Sequence, residues 1–293
     1  MVCKFLDYLE VEKRYSPHTL TSYRKDLEDF FCFVRATEGH EDPVRVDKRV
    51  VRNFMADLGE KALAKRSINR KLSSLRSFYL FLQRLRMVEV SPMEGVQSVK
   101  FYAERQVPMS VEEMDLLRED FGEVQDERLL EVLVVEVLYQ TGMRKAELCG
   151  LRMDYVDLEG RELRVVGKGN KMRVIPISEA LAELMRRYCR LRRPVGESEV
   201  YFFVNRKGKK LSEKFVYSTV NRYLSIVTSK RKKSPHILRH SFATHVLGNG
   251  AEISKVKAIL GHSSLASTQG YTSADIERLK KVFNNAHPRA KKD

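Results

Sequence analysis

The segment Ser234-Pro235-His236-Ile237-Leu238-Arg239-His240 sets a serine, two histidines and an arginine within seven residues of this 293-residue chain. Ser-Pro is a helix-start signal, and a spacing of three sets His236 and Arg239 on one side of that helix. A helix N-terminus beside two cationic side chains suits an anion. His236 and His240 also have the spacing of a zinc-hydrolase helix, but the middle of that pattern holds Ile237 and Leu238, so the general-base glutamate is missing and no metal is expected. Read in isolation, both histidines pass equally well for capping or core residues. Downstream, Val256 to Ser264 resembles a turn between two helices, with Gly261 ending one and Ser263 capping the next, a pattern a helix-turn-helix DNA reader would also show. Tyr271, nine residues after His262, is one of 12 tyrosines and alone reads as packing.

The elements that must position these residues are mostly helical. Ser16 as N-cap and Pro17 at the first position open a helix over 16–36, with Leu20, Tyr23, Leu27, Phe30, Phe31 and Val34 on one stripe. Further helices are predicted over 47–58 and 67–86, so the first hundred residues form a small all-α bundle. Pro92, Gly95 and Pro108 break the pattern, placing a first domain at 1–97, a linker at 98–107 and a second domain at 108–293. The second domain opens with a capping box, Ser110 and Glu113, then an apolar helix over 126–140 stopped by Gly142. Residues 162–166 and 171–177 alternate around Gly167-Lys168-Gly169-Asn170, the signature of a β-hairpin with a glycine-rich tip. Helices follow over 178–193, 212–229, 235–247, 252–260 and 273–286. In the last of these, Ile276, Leu279, Val282 and Phe283 form an apolar stripe that either buries in its own domain or, as the family resemblance given below implies, docks on a neighbouring protomer, the second being favoured. The fold class is mainly α with a small antiparallel β-sheet.

Composition narrows the partner. The formal net charge is +15 and the isoelectric point about 9.6, which points to a polyanion, with nucleic acid foremost. Residues 61–88 hold eight basic and no acidic residues, among them Lys65, Arg66, Arg70, Lys71 and Arg76, the expected phosphate contacts of the first domain. Residues 205–233 carry a second basic face, with Lys207, Lys209, Lys210, Lys232 and Lys233 as its expected contacts. No apolar run approaches the length that crosses a bilayer, and Met1 to Glu10 alternates charged with apolar residues, so a cytoplasmic, nucleoid-associated protein is expected. Cys3, Cys32, Cys149 and Cys189 form no Cys-x-x-Cys pair and read as buried free thiols rather than zinc ligands or disulfides.

Five strings converge on one resemblance. Thr141-Gly142-Met143-Arg144-Lys145-Ala146-Glu147-Leu148, Gly167-Lys168-Gly169, His236-Ile237-Leu238-Arg239-His240, Leu260-Gly261-His262-Ser263 and Tyr271 resemble the Arg, Lys, His-x-x-Arg, His and Tyr motifs of the tyrosine recombinases, in that family's order and intervals. The similarity is greatest to the bacterial Xer type and spans nearly the whole chain. It implies an N-terminal helical core-binding (SAM-like) domain and a C-terminal tyrosine-recombinase catalytic domain, clamped around duplex DNA. It further implies cleavage and rejoining of a DNA recombination site through a 3′-phosphotyrosyl intermediate and Holliday-junction strand exchange. Tyr271 would be the nucleophile, Arg144, Arg239 and His262 donors to the phosphate oxygens, Lys168 the general acid, His236 a partner for the tyrosine proton, and Glu147 a support for the cationic cluster.

These roles match what metal-free phosphodiester cleavage needs: a nucleophile, positive charge around the transition state and a proton for the leaving oxygen. Neither metal nor other cofactor is required. The partners implied are a second recombinase or further copies of the chain, as a heterotetramer or homotetramer on DNA, and an activating DNA translocase, with no membrane. The biological role implied is chromosome dimer resolution; integration or transposition of a mobile element, or a type IB-like topoisomerase, would share the chemistry. The sequence departs from the family at Gly270, which precedes the nucleophile where a larger residue is usual and gives the backbone extra freedom.

Overall fold

The computed structural model describes residues 1–101, 106–121, 124–167, 171–261 and 273–290. Lys168, His262 and Tyr271 therefore lie outside the described residues, as do Gly169, Asn170, Ser263 and Gly270. The chain divides into two compact units, Met1–Glu104 and Arg105–Asp293.

The first unit consists, among the described residues, of helices α1 (Val2–Val11), α2 (Pro17–Glu38), α3 (Lys48–Glu60) and α4 (Lys65–Arg84). Ser16 Oγ accepts the Thr19 amide and Gly39 ends α2 in the left-handed conformation, while Asp47 caps α3 through the Val50 amide. These are the side-chain and glycine devices that satisfy orphan backbone groups at helix ends. Helix α1 is an addition to the predicted set. Its alternating charges conceal Phe5, Leu6 and Leu9, which are buried, Phe5 packing against Phe78 with ring centroids 5.4 Å apart. The core continues through Leu27, Phe30, Val34, Phe54, Leu72, Leu75 and Tyr79.

Within this core lies an ionic cluster. Asp26 of α2 is fully buried and accepts bonds from Ser74 Oγ at 2.8 Å and Lys71 Nζ at 3.3 Å, and it also pairs with Arg70. Lys71 is itself buried and forms a second ion pair with Asp29. This corrects the expectation for Lys71: its charge is consumed by two aspartates inside the bundle and is not offered to a phosphate. Arg76 is half-buried and donates to the Val96 carbonyl at 2.8 Å, whereas Lys65 and Arg66 are exposed.

In the second unit, α5 (Val111–Phe121) opens with the predicted capping box, Glu113 N donating to Ser110 Oγ and Ser110 N to the Glu113 carboxylate. Helix α6 (Asp126–Thr141) is apolar nearly all round and runs through the core, as such helices must. A short helix α7 (Lys145–Cys149) follows, missed by periodicity because it spans little more than one turn. Strands β1 (Val156–Asp157), β2 (Glu162–Val166) and β3 (Met172–Pro176) form an antiparallel sheet in chain order, with Leu163 opposite Ile175 and Val165 opposite Arg173. Helices α8 (Glu179–Leu191), α9 (Glu213–Val227), α10 (Pro235–Gly248), α11 (Ile253–Leu260) and α12 (Ser273–Ala286) complete the unit. Mainly helical structure around one small antiparallel sheet is the class that periodicity predicts.

Of the stripe of α12, Leu279 and Phe283 are buried in the unit's own core together with Ala286, while Ile276 and Val282 are half-buried. Beyond α12, His287 is fully buried, stacked on Phe283 at 4.9 Å, and burial pulls its pKa down to about 3. Arg289 then donates to the Met114 carbonyl at 2.5 Å and to Asp115 at 2.8 Å. The thiols also divide differently from expectation, with Cys3 and Cys32 exposed and only Cys149 fully buried.

Removing Asp26 leaves Lys71 short of a partner inside the bundle. Asp26→Ala is expected to destabilise the first unit by about 3 kcal/mol, measured as a shift in its urea midpoint with unchanged slope.

Candidate active site

The Arg144 motif begins where α6 ends. Gly142 caps that helix at φ +59°, and a Cβ there would stand 2.6 Å from the Phe242 ring and 2.8 Å from Leu260. Only glycine meets both the left-handed backbone and the close approach. Arg144 then serves as the N-cap residue of α7.

Glu147 reaches back one turn. Its carboxylate accepts the Arg144 amide at 2.7 Å and Arg144 Nη1 at 2.8 Å, leaving Arg144 with a side chain 44% exposed and tethered at one edge. The Glu147 side chain is only 6% exposed. Burial alone would raise its pKa, but bonds from Arg173 and Arg144 outweigh that and hold it below the ordinary carboxylate value.

Arg239 projects from the inner face of α10 and is buried. It donates through Nη1 to the Gly142 carbonyl and through Nη2 to the Leu260 carbonyl, each at 2.7 Å. It thus ties the end of α6 to the end of α11 through two of a guanidinium's five N–H donors. Burial first, then the neighbouring Arg144 and Arg173 charges, pull its pKa down to about 10, still cationic at neutral pH. His236, one turn before Arg239, is exposed.

Described backbone ends directly before two of the site residues that lie outside it. The Gly167 amide closes the hairpin arms onto the Lys171 carbonyl at 2.8 Å, immediately before Lys168. Gly261 ends α11 at φ +69°, immediately before His262. The structure therefore brings Arg144, Glu147 and Arg239 together, and leads the chain to Lys168 and His262 from the same cluster.

The cluster also contains Arg173, which sequence reasoning missed. Its side chain is 4% exposed, and it donates to both Glu147 oxygens, at 3.0 and 2.7 Å, and through Nε to the Ile259 carbonyl at 2.6 Å. A signal for it existed. Arg173 shares its strand face with Ile175 and pairs with Val165, both buried, and an arginine on the inward parity of a half-buried strand must have a buried anion.

The basic residues of the second unit are arranged unevenly. A tight turn presents Lys207, Lys209 and Lys210 as exposed residues, with Asn205 Oδ1 accepting the Lys207 and Lys209 amides and Gly208 in the left-handed region. Lys210 lies over the Tyr201 ring, 3.9 Å from its centroid. Lys232 is exposed, and Lys233 is half-buried with Nζ 3.4 Å from the Thr228 carbonyl. Other cations of that run are committed internally, Lys230 to Glu113 at 2.5 Å and Arg222 to Glu131.

Residues 123–278 match the phage integrase family, and residues 2–85 match the phage integrase N-terminal SAM-like domain. The chain belongs to the phage integrase family. Among its curated relatives in that family is the "Tyrosine recombinase XerC" of Chlorobaculum parvum, 38% identical over 98% of this chain and 94% of the relative. The protein of the same description from Thermodesulfovibrio yellowstonii is 33% identical over 100% of this chain and 97% of the relative. The integrase fold is shared with a solved post-cleavage complex of the XerH site-specific recombinase bound to palindromic difH substrate. That match has a TM-score of 0.70 and 20% identity, covering 96% of this chain and 83% of that one. Membership makes the protein a tyrosine recombinase, an enzyme of site-specific DNA recombination.

The depressed Glu147 carboxylate makes a pH prediction. Its contribution to stability is complete above the ordinary value of 4.5 and is lost as pH falls through its lower folded value. Glu147→Gln is therefore expected to lower the thermal midpoint at neutral pH, with the difference from wild type shrinking as the pH is taken well below 4.5.

Proposed function

We propose that the Arg144, Arg239 and Glu147 cluster is the cradle of a scissile DNA phosphate, and that the seven residues named from the sequence act around it. The observation that carries this reading is the placement of two arginines about one buried carboxylate, with the described backbone ending directly before Lys168 and His262. Planar guanidinium forks bind two phosphate oxygens at once in a way lysine cannot reproduce. Their charge would be greatest in effect as the phosphorus takes on its fifth oxygen.

Tyr271 attacks the phosphorus, forming a 3′-phosphotyrosyl bond as the bond to the 5′ oxygen breaks. Lys168 gives its proton to that leaving oxygen, and His236 takes or shares the tyrosine proton. His262 adds a donor to the phosphate. The 5′-hydroxyl of another strand then attacks the phosphotyrosine and releases Tyr271, so the bond energy is conserved. These steps use no metal, nucleotide or other cofactor.

The proposed substrate is a duplex recombination site, exchanged through a Holliday junction by a homotetramer or by a heterotetramer with a second recombinase. An activating DNA translocase and a cytoplasmic, nucleoid-associated location complete the proposal. Among the described residues no helix is long and apolar enough to cross a membrane. Full-length similarity to proteins described as XerC supports an Xer-type role in chromosome dimer resolution over integration of a mobile element. The lysines most suited to backbone contact are the exposed Lys65, Lys207, Lys209, Lys210 and Lys232, together with Arg66. Arg70 is exposed, Arg76 and Lys233 are half-buried, and the buried Lys71 is withdrawn from the set.

Incubation with nicked duplexes carrying candidate sites, in chelator, is expected to give a covalent protein–DNA band on a denaturing gel that Tyr271→Phe abolishes. An adduct that persists in Tyr271→Phe would mean another nucleophile. Salt titration of duplex binding separates the lysines: Lys65→Gln and Lys209→Gln each lower the slope of log affinity against log salt by about one, and Lys71→Met leaves it unchanged.

A further inference from the structure

We infer that Arg173 is a positioning residue for cleavage, holding Arg144 through Glu147 and fixing the backbone that delivers the groups before and after it in the active site. The inference rests on the reading of the cluster as a phosphate cradle.

Three observations meet at this guanidinium. It takes both oxygens of Glu147, the carboxylate that tethers Arg144. Its Nε caps the Ile259 carbonyl, next in the chain to the Leu260 carbonyl held by Arg239. Two arginines thus satisfy successive carbonyls at the C-terminal end of α11, where the helix dipole favours positive charge.

The third observation is steric. A Cβ on Gly261 would stand 3.1 to 3.3 Å from Arg173 Cδ, Nη1 and Nε, and one on Gly167 would stand 3.3 Å from Nη1. The side chain is thus wedged between the two glycines that immediately precede His262 and Lys168. No phosphate ligand is needed to explain its placement, since its donors are turned onto protein. It acts through its neighbours.

Losing this side chain removes two of the four hydrogen bonds that Glu147 accepts among the described residues, while leaving the carboxylate buried. The groups facing Glu147 are then Arg144 from the start of α7 and, at longer range, Arg239 from α10. With less compensation for burial, the carboxyl protonates more readily and releases Arg144 as the pH falls. A residue that only stabilised the fold would not shift the pH profile of cleavage.

The test uses full-length wild type, Arg173→Gln and Arg173→Lys with a nicked duplex selected from a random pool for tight binding to the wild-type chain. Duplex affinity and single-turnover adduct formation are followed across pH. In Arg173→Gln, affinity stays within about threefold of wild type while cleavage at neutral pH falls by about 100-fold, the scale of a small misplacement of reacting groups. The deficit deepens toward acid pH and narrows toward alkaline pH.

Arg173→Lys keeps a cation beside Glu147 but loses the fork, so it removes the added acid sensitivity and leaves cleavage about tenfold slow. A Gln variant that cleaves like wild type at every pH overturns the inference. So does a Gln variant whose binding and cleavage fall together with an unchanged pH profile. Should the Gln variant not fold, the Lys variant decides, and wild-type rate and pH profile in it overturn the inference. No adduct from wild type overturns the phosphate-cradle reading itself, and this inference with it.

Discussion

The second unit is organised around one buried carboxylate. Glu147 accepts an amide and two guanidinium groups, and a third, Arg239, lies close enough for their charges to interact. Three cations in a half-closed site would repel one another and resist desolvation without an internal anion. With it, the cluster keeps excess positive charge at its open edge, where Arg144 is exposed, and is compensated within. The same carboxylate joins a helix start, a strand and, through Arg173, a helix end, so electrostatics and geometry are set by one group.

Gly142 and Gly261 show how backbone chemistry serves that cluster. Each is left-handed and ends a helix, and each turns carbonyls of its own or of the preceding residues toward an arginine. Arg239 bridges the two helix ends and cannot be replaced in that task by a shorter or less forked cation. Its burial weakens its basicity but leaves it charged, so the site gains a rigid cation at the expense of part of its solvation.

Much of this was legible in the sequence, and the exceptions have physical causes. Helix starts at Ser16, Asp47 and Ser110, the stop at Gly142 and the hairpin around Gly167 follow from local chemistry that tertiary structure did not override. Arg144, Glu147 and Arg239 were found because their motif residues stand in register. Arg173 was not, because a charged residue in a strand is ordinarily solvent-facing; only its parity with Ile175 betrayed it. Lys71 misled for the converse reason. It sits among exposed cations in sequence, and the aspartates that claim it lie more than forty residues earlier. Helix α1 and helix α7 escaped because one hides its apolar face among charges and the other is too short for a period to register.

The tail of the second unit bears on how the protein is made. His287 and Arg289 pack against Tyr139, Met114 and Asp115, residues synthesised long before them, and Leu279 and Phe283 close the same core. The helical first unit builds its described core from its own first hundred residues and can fold while translation continues. The second unit cannot complete its core until the final residues of the described chain leave the ribosome. Tyr271 lies just before that closing segment in the sequence, so a chain truncated ahead of it would lack both the proposed nucleophile and a finished core.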